Sequence, residues 1–99
     1  EAQVVMRQLV HEFGERFHKE HGLGLRFTEP AAHALVAEAL ERRLSVRDLC
    51  AAKFKDYQFG LKLIAGNAGR KEFTLDTDAV AAPDKVLSDW VVASYRKDA

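Results

Sequence analysis

The 99 residues are 47% apolar, and 15 Lys plus Arg balance 15 Asp plus Glu, which is enough chain for one domain with one modest core. A formal net charge of zero excludes polyanion binding by bulk charge, and so small a core leaves little room for a deep cofactor crevice. Cys50, the single cysteine, excludes an internal disulfide, a paired-cysteine zinc site and a dithiol redox motif.

From Ala2 to His21, Val5, Leu9, Phe13 and Phe17 recur every fourth residue with Met6 and Val10 beside them, predicting an amphipathic helix that stops at Gly22 and Gly24. Residues 25–28, in phase with Leu23, alternate apolar and polar as a short half-buried strand does. Thr28 then caps a second helix, with Glu29 and Pro30 in its first turn. Its stripe is Ala31, Ala32, Leu35, Val36, Ala39 and Leu40, and Arg42 and Arg43 suit its negative end.

Ser45 with Asp48 three residues on is another cap signature, opening a third helix whose stripe runs Val46, Leu49, Cys50, Phe54, Tyr57, Leu61 and Ile64 almost to Gly66. Phe59, Leu61 and Leu63 also alternate, so residues 59–65 read as helix or as strand. A glycine-rich turn over 66–70 leads to a second strand over 71–75 that could pair with the first. Asp76, Thr77 and Asp78 form a turn or brief helical cap before Pro83 opens the last helix. That helix carries Val86, Leu87, Trp90, Val91 and Ser94 or Tyr95 as its stripe, with Arg96 and Lys97 in its last turn. The expected order is α-β-α-α-β-α: an α+β fold, mainly helical, with about four helices and a small two- to three-stranded sheet, forming one domain over residues 1–99.

His11, Glu15 and His18, with His21, have a spacing that could converge on a metal, but on an ideal helix they point roughly 150° away from the Phe13 stripe, into solvent. No metal is expected there, and His33, with no ligand-type neighbour, reads as a surface or interface residue. Cys50 lies on an apolar stripe and reads as core rather than nucleophile. The segment 66–70 lacks the Lys and Ser or Thr of a phosphate loop, so the chain holds no complete catalytic site. The basic corner of Arg42, Arg43 and Arg47 can be an anion site at a helix N-terminus or a solvated loop balanced by Glu38, Glu41 and Asp48; spacing alone favours the loop.

The segments Leu25-Arg-Phe-Thr-Glu-Pro-Ala, Ala39-Leu-Glu-Arg and Ser45-Val-Arg-Asp-Leu together resemble the small C-terminal domain of Clp-type AAA+ ATPases, the ClpX-like unfoldases in particular. In that family a strand ending in Phe-Thr enters a helix, the helix ends in a charged turn, and Gly-Ala-Arg-x-Leu opens the next helix. The likeness covers about residues 9 to 75, and it departs from the pattern at Ser45 and Val46, where Gly and Ala are usual, and at Phe54-Lys-Asp-Tyr-Gln-Phe-Gly.

The resemblance implies that Arg47 is the sensor 2 arginine that reaches nucleotide held by a preceding large domain, with Arg43 as a lesser contact. It implies ATP and Mg in the whole protein and none bound to this segment. The implied partners are the large domains of the same chain and of the neighbouring subunit in a homo-oligomeric, hexameric ring acting as a chaperone or unfoldase on protein substrate. Domain closure on ATP would then be rigid-body motion. Glu1 is not a start methionine and opens directly into helix-like sequence, so the chain reads as a C-terminal piece of a longer polypeptide. The absence of a long apolar run and of cysteine pairs predicts a cytoplasmic, membrane-free setting. Two other readings compete: a protein-binding module with no nucleotide role, and a DNA-binding helix-turn-helix centred on Leu44 and Ser45.

Overall fold

In the computed structural model, which describes residues 1–96, six helices surround a two-stranded parallel sheet. The order is α1 (Ala2–His21), β1 (Gly24–Phe27), α2 (Glu29–Arg42), α3 (Val46–Lys53), α4 (Tyr57–Ala68), β2 (Glu72–Leu75), α5 (Thr77–Ala81) and α6 (Pro83–Ser94). This is the α+β class expected, with three helices between the paired strands supplying the crossover that parallel pairing requires.

Local chemistry sets most of the boundaries. Gly22 ends α1 in the left-handed conformation at φ 71°, its amide donating to the His18 carbonyl. The Thr28 hydroxyl accepts from the Ala31 amide at 3.2 Å and caps α2. Ser45 accepts from the Asp48 amide at 3.0 Å and caps α3. Leu25 stands opposite Phe73 and Phe27 opposite Leu75, so the strands present one apolar face to a core that also holds Val10, Leu35, Leu49, Cys50, Tyr57 and Leu61, each fully buried.

Parallel pairing through the Gly24 and Thr28 amides, which donate to the Lys71 and Leu75 carbonyls, turns the main-chain groups of Leu25 and Phe27 toward the opposite edge of β1. There α1 comes so close that a methyl group on Gly14 would collide with the Leu25 carbonyl oxygen. A small residue at this crossing lets the longest helix lie directly on the strand.

Several expectations are corrected. The long third helix is two helices, broken at residues 54–56, because Phe54 and Tyr57 both turn into the core and meet edge to face at 5.1 Å. Of the alternatives left open, residues 59–65 are helical and the segment after Asp76 is the short helix α5, and this helix together with the split of the third brings the count to six among the described residues. Val5 and Leu40 are 57% and 51% exposed, because the buried face of α1 is centred on Val10, Gly14 and Phe17 and that of α2 on Ala32, Leu35 and Ala39. Phe73 is buried and Trp90 packs against it, but Tyr95 is 59% exposed. Arg96 lies beyond the end of α6, and Lys97 falls outside the described residues. No helix among the described residues is long and apolar enough to cross a membrane.

Candidate functional site

The turn from α2 to α3 gathers Arg42, Arg43 and Arg47, and its shape follows from two caps placed back to back. Arg43 ends α2 in the left-handed conformation at φ 58°, unusual for a side chain with a Cβ. Two residues later Ser45 opens α3, whose Val46 and Leu49 are buried and so hold Arg47 and Asp48 outward. Arg42, Arg43 and Arg47 are all exposed.

The three arginines are not equivalent. Arg42 donates to Glu38 at 2.9 Å across one helical turn, and Lys53 reaches the other oxygen of the same carboxylate at 3.0 Å. Burial alone would push the Glu38 carboxyl up, but the hydrogen-bonded Lys53 and Arg42 outweigh it and hold the group below its ordinary value. Arg43 and Arg47 make no ion pair among the described residues. What remains for an anion is two guanidiniums beside a helix N-terminus, with Asp48 in the same first turn as a competing carboxylate.

These residues fit one end of a phosphate group, since arginine forks and helix-end amides are its usual donors. Among the described residues no group of three or more His, Cys, Asp or Glu could hold a metal ion.

On the histidine face of α1, Glu15 and His18 are exposed as the helical projection implies, and His11 and His21 are half-buried. His11 Nε2 lies 3.0 Å from Glu29 Oε2 in the first turn of α2, and the His21 ring meets the Phe17 ring at a tilt, with centroids 4.7 Å apart. His11, Glu15 and His18 line a cleft of about 370 Å³ with Gly24 to Phe27 and Glu72, a feature that only the docking of α1 on β1 creates. His33 is exposed, and Cys50 is fully buried, with burial pushing its thiol up to about 12. Comparison of the chain with protein-family models, curated proteins and solved structures finds no match.

Proposed function

We propose that this chain is the small C-terminal domain of a Clp-type AAA+ ATPase, cytoplasmic, in which Arg47 and secondarily Arg43 meet the phosphates of ATP held by a large domain. One observation carries the reading. β1 ends at Phe27, Thr28 caps α2, α2 ends in the turn of Arg42 and Arg43, and Ser45 caps α3 with Arg47 in its first turn, exposed and without an ion pair among the described residues. This is the order of elements in which the family carries its sensor 2 arginine. Hydrolysis and Mg binding belong, on this reading, to the large domain, and the small domain contributes charge and a moving contact to a hexameric unfoldase ring.

Arg47 would act as a preorganised cation: its helix is anchored by Val46 and Leu49, so closing on nucleotide costs only the side chain's freedom. The test is made in the complete polypeptide that contains this segment. The reading requires a phosphate-binding loop N-terminal to Glu1, and in that protein Arg47→Ala should lower ATP turnover about 10-fold or more, with Arg47→Lys between it and wild type. A polypeptide without such a loop, or turnover indifferent to Arg47→Ala, overturns it.

The helix-turn-helix reading is weaker in charge. The exposed face of α3 presents Arg47, Asp48, Ala51 and Ala52, one cation against one anion, where a recognition helix needs several donors aimed at DNA.

A further inference from the structure

Four of the large apolar side chains left exposed among the described residues lie on α4 and α6: Phe59, Leu63, Val92 and Tyr95, at 61%, 48%, 50% and 59%. The two helices run side by side and parallel. Tyr57 donates to the Pro83 carbonyl at 2.7 Å, a methyl group on Gly60 would overlap the Leu87 side chain, and Asn67 donates to Ser94 at 3.1 Å, so an α4 residue stands level with the α6 residue 26 or 27 places on. Helical spacing puts the four side chains on one surface. Around α4, Leu63 and Phe59 lie roughly 60° and 100° to one side of Gly60, and the buried Ile64, Tyr57 and Leu61 lie on the other. Around α6, the half-buried Val91 with Tyr95 and Val92 lie roughly 40° to 140° to one side of Leu87, and the core-facing Val86 and Trp90 lie on the other. The outer face of the pair is therefore an apolar strip.

The ends of the strip carry opposite charge. Asp56, Asp78 and Asp84 gather at the N-terminal ends of the two helices, against Lys55, and Arg70, Lys71 and Arg96 gather at the C-terminal ends, where the nearby Glu72 faces Arg26 at 3.9 Å. None of these three acids and three bases makes an ion pair among the described residues. A second copy of the chain turned end for end lays the strip on itself and sets each acidic end against a basic one. The register agrees. Trp90 stands level with Leu63, and Asp84 and Arg96 are each six residues from Trp90, so a two-fold axis at that level brings Asp84 of one copy to Arg96 of the other.

We infer that the outer face of α4 and α6 is the interface of an antiparallel homodimer of this chain. The four side chains expose about 400 Å² of apolar surface, most of the apolar share of one side of a standard interface of about 800 Å² per partner. Zero net charge removes long-range repulsion between copies, and Lys62, exposed and roughly 200° round α4 from Gly60, keeps its ammonium in water at the edge. The inference uses neither Arg47 nor nucleotide and stands apart from the proposed ATPase role.

Sedimentation equilibrium of the 99-residue chain should show a mass rising with concentration from 11.1 kDa to twice that, with a dissociation constant of about 1–100 μM, as a small interface gives. Phe59→Ser and Leu63→Glu, at exposed positions that leave the core intact, should each raise that constant about 10-fold or more. Asp84→Lys and Arg96→Glu should each weaken the dimer several-fold, and the two together should restore it, because the reversed charges meet across the two-fold axis. A monomer at every concentration, association indifferent to Leu63→Glu, or a double variant no tighter than the single ones would each overturn the assignment. The concentration dependence is read on the unmodified chain and does not rely on any variant folding.

Discussion

Thr28 and Asp76 stand one residue past the ends of the two paired strands, and the Thr28 hydroxyl donates to Asp76 Oδ1 at 2.8 Å while accepting from the Ala31 amide. The same Asp76 oxygen accepts from the Thr77 amide at the start of α5. One hydroxyl therefore caps α2 and ties it to the start of another helix 48 residues away. Thr28→Val, which keeps the shape and removes the hydroxyl, should cost about 1–2 kcal/mol in urea unfolding, and Thr28→Ser should retain most of the stability. Wild-type stability in the valine variant would show that the hydroxyl contributes nothing.

Gly14 and Gly66 are both helical glycines with opposite surroundings. A methyl on Gly14 meets the Leu25 carbonyl oxygen, main chain that cannot swing aside, whereas a methyl on Gly66 meets nothing within 4 Å. Gly14→Ala should destabilise by about 1–3 kcal/mol. Gly66→Ala should stabilise by about 0.5–1 kcal/mol, since alanine loses less backbone freedom in a helix. Thermal unfolding of the two variants should move in opposite directions, and a shared direction would contradict the close approach of α1 to β1.

Glu38 joins α2 to α3 through Lys53, whose ammonium also donates to the Val80 carbonyl at 2.7 Å. Its pKa is lowered in the folded state, so its contribution to stability is present above the unfolded value of about 4.3 and is lost as pH falls through the lower folded value. The α2–α3 contact should therefore weaken in acid. Glu38→Gln should cost about 1 kcal/mol or less at pH 7 and flatten the acid limb of stability against pH. An acid limb of undiminished slope in that variant would assign the effect to other carboxylates.

Cys50 should be inert in the native state. Burial pushes its thiol up to about 12, and the nearby Arg16 and Lys53 pull the other way without offsetting it. At pH 8 a thiol reagent should label the chain only as fast as it opens, with labelling becoming rapid in denaturant. Fast labelling of folded protein would place the thiol at the surface.

The caps were legible because each is a contact between residues three apart: Thr28 to Ala31 and Ser45 to Asp48. The break between α3 and α4 was not, because Phe54 and Tyr57 are both buried on either side of it and keep the apolar spacing continuous across residues 54–56. The same limit applies to the sites. Arg42, Arg43 and Arg47 were visible as a basic cluster, and that Glu38 engages one of them follows from helical spacing. The cleft that His11, Glu15 and His18 line carried no such signal, since only the docking of α1 on β1 creates it.

Taken alone, the order of residues determined the starts of α2 and α3 and the end of α1 at Gly22, which depend on interactions within a turn or two of chain, and its apolar periodicity indicated the class of fold and an apolar place for Cys50. Tertiary structure alone decided the parallel pairing of β1 with β2, the crossing of Gly14 over Leu25, the exposure of Val5 and Leu40, and the cleft between α1 and β1. Periodicity states that a helix has an apolar face, but which residues of that face are covered depends on where the neighbouring elements dock, and that is settled by packing between segments distant in the chain.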